Sequence, residues 1–221
     1  MSTDNFLYAY QAYKYLMETG FPEKASLKLV GDRYRLSRVE RNCLFRGVMA
    51  NEIALRRGRK LVEPTAVLGR PLGLDWYNVL ITIESYLKGV VILLADDGVL
   101  RDAMAAHGSY RRSHVTDKAI ASIVEGLAAL APARIDVFLD SPIAFSGQMA
   151  QEIRLALAAL AVPFDVSLDR SADFALKSYD GIVASADSVI LERARAVLDL
   201  PRFVLEKGFG FTARRLPDLA P

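Results

Sequence analysis

The sequence predicts an α/β protein, a mostly parallel sheet of five or six strands flanked by helices and preceded by a small helical domain. Three observations predict this class. Beyond the first 60 or so residues, short apolar runs alternate with segments of helical length, the rhythm of strand–helix–strand units with right-handed crossovers. A run such as Val90 to Ala95 is continuously apolar, as expected of a strand covered on both faces. Several of these runs end in an acid or a small residue and turn directly into a helix. The expected divisions are a helical domain over 1–60, the α/β domain over 66–207 and a tail over 208–221.

Composition excludes several classes. The chain has 221 residues, 52% hydrophobic and 24% charged, which is globular composition. No apolar run approaches the roughly 20 residues that span a bilayer. The start, Met1 to Asn5, lacks the basic-then-apolar order of a secretory leader, so a cytoplasmic protein without a membrane partner is expected. Cys43 is the single cysteine, and with His107 and His114 as the only histidines a Cys/His zinc site is not expected. Charge is unevenly distributed. Residues 1–60 carry 12 Lys/Arg against 6 Asp/Glu, a balance of +6, and the remainder 16 against 20, or −4. A basic module before an acidic one suggests a polyanion held by the first and metal-assisted chemistry in the second. Basic side chains that merely solvate helices would give the same count.

In the front part, Phe6, Tyr10, Tyr13, Leu16 and Met17 recur at helical spacing up to Glu18, where Gly20 and Pro22 stop the helix. Ala25 to Val30 is a second helix, ended by Gly31. Ser37 with Glu40 three residues on reads as a capping box for a third, running through Cys43, Leu44 and Val48 towards Leu55. Arg33, Arg35 and Arg38 cluster at the turn between the second and third helices, joined by Arg41 and Arg46. Guanidinium forks suit phosphate oxygens, so this turn is a candidate nucleic-acid contact. Residues 57–66 read as a linker.

In the α/β part, strands are expected at Val67–Asp75, Val90–Ala95, Ile135–Leu139, Pro163–Leu168 and Gly181–Ala184, with Arg202–Glu206 as a sixth. Helices are expected over Asn78–Leu87, Val99–Ala106, Thr116–Leu130, from Ser146 to Leu160, around Ala172–Lys177 and from Asp187 to Leu198.

The chemistry lies in carboxylates. The turn after the first strand, Asp75-Trp76-Tyr77-Asn78, is not a dinucleotide fingerprint; there is no P-loop, and no serine sits in a nucleophile elbow. Asp75, Asp96, Asp97, Asp140 and Asp187 all fall at expected strand ends, which line one edge of a parallel sheet. Clustered carboxylates repel one another unless a hard cation such as Mg²⁺ or Mn²⁺ relieves them through oxygen ligands. Such an ion activates water and neutralises a phosphoryl oxygen. An aspartate at a strand–helix junction also serves as a plain N-cap. Arg101, Arg111 and Arg112 are candidates to hold a phosphate beside the acids, although Arg101 is equally placed to pair with Asp97 or Asp102.

Asp75-Trp76-Tyr77-Asn78 resembles the first-strand signature of the PIN-like nucleases, especially the NYN branch, and Val183 to Asp187 resembles that branch's later strand-end motif. The whole chain also resembles the prokaryotic family called domain of unknown function 434, through Leu29–Ser37, Asp96–Asp102 and Leu139–Gly147. The PIN/NYN resemblance implies a Rossmann-like sheet and a Mg²⁺- or Mn²⁺-dependent nuclease acting mostly on RNA. It implies Asp75 and Asp187 as metal ligands, with Asn78 orienting Asp75. Asp140 matches at a central strand end. Asp96 and Asp97 have no counterpart in that pattern and enter on position alone, as a further ligand or the group that orients water. Where the superfamily often has another acid, two residues after Asp187, this chain has Val189. The expected function is RNA phosphodiester hydrolysis. The alternatives are a non-catalytic RNA-binding adaptor on a degenerate scaffold and a Mg²⁺-dependent phosphatase.

Overall fold

The structure is a computed structural model and describes residues 3–104 and 110–219. Four helices lead: α1 (Thr3–Glu18), α2 (Glu23–Arg33), α3 (Arg38–Gly47) and α4 (Asn51–Gly58). There follow β1 (Pro71–Asp75), α5 (Trp76–Leu87), β2 (Ile92–Leu94), β3 (Leu100–Asp102), α6 (Thr116–Leu130), β4 (Arg134–Asp140) and α7 (Ser146–Leu157). The chain continues through β5 (Phe164–Asp169), α8 (Ala172–Leu176), β6 (Ile182–Ala184), α9 (Ser188–Arg193), β7 (Ala196–Val197) and α10 (Leu200–Phe209).

Five strands form an all-parallel sheet in the order β5-β4-β1-β6-β7. From central β1 the chain adds β4 and then β5 on one side, and returns to add β6 and β7 on the other. Strand order therefore reverses between β1 and β6, which makes the crevice beyond their carboxyl ends the favoured ligand position. Residue alternation decides the layers. Leu72, Leu74, Ile135, Val137, Ile182 and Ala184 face one side, where buried residues of α5, α6, α7 and α10 complete the main core. Val183 and Val197 face the other, against Leu176 of α8 and Ile190 and Leu191 of α9.

Several elements differ from expectation. Val90–Ala95 does not enter the parallel sheet: β2 pairs antiparallel with β3, where a helix over 99–106 is expected; residues 105–109 lie outside the described ones. Gly98, at φ +81°, makes the tight turn between them. The run is apolar on both faces because Ile92 belongs to the main core while Leu93 and Ala95 pack against the front helices. Arg202–Glu206 is not a sixth strand but part of α10, capped by the Asp199 carboxylate, which accepts the Arg202 N–H at 3.1 Å. The helix expected to reach Leu198 stops at Arg193, and β7 follows.

Among the described residues the front part has four helices rather than three. The Ser37–Glu40 capping box forms, with the Ser37 N–H donating to the Glu40 carboxylate at 2.7 Å and the Glu40 N–H to the Ser37 hydroxyl at 3.3 Å. The third helix nonetheless ends at Gly47, where a Cβ would lie 2.4 Å from Leu216 and 2.6 Å from Leu93. Nor does the tail stand apart: the Arg214 carbonyl accepts the Leu94 N–H at 2.9 Å, and Leu216 is buried among the front helices.

Candidate functional site

The site is built where strand order reverses. Asp75 ends β1 and precedes the first residue of α5, yet its side chain caps nothing. It is 5% exposed, and its carboxylate accepts the Ser185 hydroxyl at 2.7 Å. The same hydroxyl oxygen accepts the Asp187 N–H at 3.0 Å, so the turn after β6 is tied to the end of β1. One residue along, the Asn78 side-chain oxygen Oδ1 accepts the Ala186 N–H at 3.3 Å. Ser185 thus holds Asp75, and Asn78 also ties the neighbouring turn to α5.

Burial pushes the Asp75 carboxyl up to about 7; the Ser185 hydrogen bond pulls it down, and the charges of Asp187, Asp140 and Asp173 push it further up. Asp140 ends β4, Asp187 lies in the turn after β6 and Asp173 in the first turn of α8, and their charges are felt at Asp75. Asp187 caps α9, accepting the Val189 N–H at 2.7 Å and the Ile190 N–H at 3.2 Å through one oxygen. Asp140 accepts the Ala172 N–H at 2.9 Å, also through one oxygen. The donors are oxygens throughout, which suits a hard cation rather than zinc or copper. Among the described residues, no group of three or more His, Cys, Asp or Glu side chains stands as a metal-holding cluster.

Asp96 and Asp97 do not join this group. They lie in the β2–β3 turn, and their carboxylates are committed elsewhere. Asp96 accepts Lys14 Nζ at 2.8 Å and the Met49 N–H at 3.1 Å, holding the break between α3 and α4. Asp97, fully buried, takes both terminal nitrogens of Arg101 at 2.6 and 2.7 Å. Arg101 is itself buried in that pair, and its Nε donates to the Ala186 carbonyl at 3.3 Å, bracing the turn that carries Asp187. Both Asp97 oxygens are thereby engaged in a bidentate, charge-assisted pair.

The predicted nucleic-acid arginines divide. Arg33, Arg35 and Arg38 are exposed at the α2–α3 turn. A cleft of about 620 Å³ against Asn78, Ala186 and Asp187 is lined instead by Glu23 at the opposite end of α2 and by Arg46, Arg57 and Arg101. Ten residues at about 1.5 Å rise put Arg33 some 15 Å along the helix from Glu23. Arg46 pairs there with buried Asp102 at 3.3 Å, and Arg57 with Glu192 at 2.8 Å. Arg112 is bound to Glu152 and Asp117. Arg111 lines a second cleft of about 720 Å³ with Tyr77, Tyr110 and Phe145, next to the loop that follows Asp140. Glu84 lies within α5, where it accepts the hydroxyls of Tyr110 at 2.8 Å and Thr116 at 2.5 Å. His114 is exposed, and His107 lies outside the described residues.

The sequence reading does not single out Asp173 or Ser185. Asp173 is signalled only by its place in the first turn of α8, which requires knowing that β5 lies beside β4. Ser185 sits in a run of small residues where nothing marks it as a partner of Asp75.

The fold and the site together define a doubly wound α/β protein with a buried aspartate at its strand-order reversal and three further acids whose charges are felt there. The chain belongs to the family described as "Domain of unknown function (DUF5616)", whose model matches residues 64–203. The model described as "Protein of unknown function (DUF434)" matches residues 5–60, so the resemblance to that family is confined to the front helices rather than spanning the chain. Neither description names a PIN or NYN family. The chain is 31% identical over 194 residues to the uncharacterised protein MJ0935 of Methanocaldococcus jannaschii, covering 87% of this chain and 92% of that protein. No solved structure matches. No helix among the described residues is long and apolar enough to cross a membrane.

Proposed function

We propose that this chain is a metal-dependent phosphodiesterase of the PIN/NYN kind, acting on RNA, with Asp75, Asp187, Asp140 and Asp173 as the acidic pole of its site. Support comes from Asp75: buried, capping nothing, and pressed by three like charges against the hydrogen bond from the Ser185 hydroxyl. Folding an acid into that position is unfavourable unless a cation or a retained proton compensates it. Mg²⁺ or Mn²⁺ bound there would neutralise the acids, lower the pKa of a water and screen a phosphoryl oxygen. The protein's own part is positional. Ser185 fixes one Asp75 oxygen, and Asn78 and Arg101 hold the Ala186 peptide between them, so the turns either side of the reversal are braced together. Asp187 and Asp140 each engage a helix-start N–H through one oxygen, which sets their side-chain rotation.

A second reading, the non-catalytic RNA-binding adaptor, is favoured by Val189, which stands 47% exposed where the superfamily often has an acid. One experiment separates the two. The full chain is incubated with labelled single-stranded RNA in Mg²⁺ or Mn²⁺. The expected result is EDTA-sensitive cleavage that Asp75→Asn reduces to background while still melting cooperatively. Absence of cleavage of RNA and DNA across divalent metals removes the enzyme reading. Binding that survives EDTA, falls steeply with salt and is lost in Arg33→Glu with Arg38→Glu then selects the adaptor.

A further inference from the structure

The cleft beside Asp140 contains two features that the fold does not need. Phe145 enters α7 in the left-handed backbone region, φ 63° and ψ 20°, a conformation unfavourable for a bulky side chain. Its ring is 82% exposed, so no burial offsets that strain. Tyr77, on the first turn of α5, is 1% exposed and lines the same cleft, yet its hydroxyl has no hydrogen-bond partner among the described residues. A buried phenol without a partner is destabilising. Its ring packs against Tyr110 with centroids 5.1 Å apart.

Arg111 supplies charge on the same wall. Its neighbour Arg112 is taken up by Glu152 and Asp117, whereas no ion pair of Arg111 is found among the described residues. The cleft adjoins the acidic pole. Five residues join Asp140 to Phe145, at most about 17 Å of chain, and Pro142 and Ala144 of that loop line the cleft. A displayed aromatic face, an unsatisfied phenol and an unpaired guanidinium match the π-face, polar edge and phosphate of a nucleotide.

We propose that this cleft is a nucleobase subsite: an unpaired base of single-stranded RNA stacks on Phe145, hydrogen-bonds the Tyr77 hydroxyl, and has its phosphate held by Arg111. The assignment rests on the RNA reading above and names where the substrate lies relative to the acids. Duplex RNA, whose bases are already stacked, is not a ligand for it.

The test is fluorescence anisotropy of a short fluorescein-labelled oligouridylate with the full chain, in EDTA so that no strand is cut. Phe145→Ala is expected to weaken binding about tenfold with an unchanged salt slope, and Phe145→Tyr to retain it. Arg111→Gln is expected to weaken binding and to lower the salt slope by about one. Phe145 is exposed, so the alanine variant should melt at or above the wild-type temperature. Unchanged binding in both Phe145→Ala and Arg111→Gln overturns the subsite, whether or not the chain cleaves RNA. No binding of the oligouridylate by the wild type also overturns it. A loss in Phe145→Ala within a chain that never cleaves leaves the subsite standing and removes the phosphodiesterase reading alone.

Discussion

Ser185 donates its hydroxyl hydrogen to the Asp75 carboxylate at 2.7 Å, across the single position where the order of parallel strands reverses. This buried contact joins the end of β1 to the turn after β6, residues 110 positions apart in the chain. Removing the hydroxyl should act on fold and site together. A buried hydrogen bond to a charged acceptor contributes about 1.5–3 kcal/mol. Ser185→Ala should therefore lower stability more at pH 8, where Asp75 is ionised, than at pH 5, where it is protonated. Urea unfolding at the two pH values measures this; an equal loss at both would mean the hydroxyl does not serve the charged form.

Asp75 itself should make the metal-free protein less stable as pH rises. Its folded value is raised from 3.8 to about 7 by burial, opposed by Ser185 and reinforced by the neighbouring acids. Between those values the folded state keeps a proton that the unfolded chain has released. The resulting stabilisation is complete below about pH 4 and lost as pH rises through 7. Asp75→Asn removes this dependence. It should match the wild type near pH 4 and exceed it at pH 8 by up to about 4 kcal/mol, read from denaturant midpoints in EDTA.

Divalent metal should invert that comparison. If Mn²⁺ binds the folded acids, it raises the wild-type melting temperature in a concentration-dependent way. The shift should vanish in Asp75→Asn and shrink in Asp187→Asn. Equal shifts in all three proteins would place the metal elsewhere.

Asp97 should behave as a structural residue. Its loss leaves Arg101 buried without a counter-charge, which typically costs about 3–5 kcal/mol. Asp97→Asn should unfold at markedly lower urea, and Asp97→Asn with Arg101→Met should recover part of the loss. Wild-type stability with abolished cleavage would return Asp97 to the site.

Asp96 should control the seam between the front helices and the hairpin. Without its bonds to Lys14 and the Met49 N–H, the break between α3 and α4 loses its anchor. Asp96→Ala should speed hydrogen exchange over residues 48–58 while leaving the five-stranded sheet protected.

Local rules were enough for much of this chain. The Ser37–Glu40 box, the stop at Gly20, and strands ending at Asp75, Asp140 and near Ala184 follow from caps, breakers and apolar runs, which act within a few residues. The same rules placed Asp75, Asp140 and Asp187 at or just beyond strand ends of the parallel sheet, but not Asp96 and Asp97, which lie in the hairpin turn. What local rules cannot supply is which surface covers a strand. Val90–Ala95 is apolar on both faces in a hairpin clasped between two cores as it would be inside a parallel sheet, and only Asp97-Gly98 hinted at the turn. The same limit separates the aspartates. In sequence Asp75, Asp97 and Asp187 look alike, each after an apolar run and before a turn. Tertiary packing makes one a buried uncapped acid, one an arginine partner and one a helix cap, because a carboxylate's role depends on the donors and charges that distant segments bring to it.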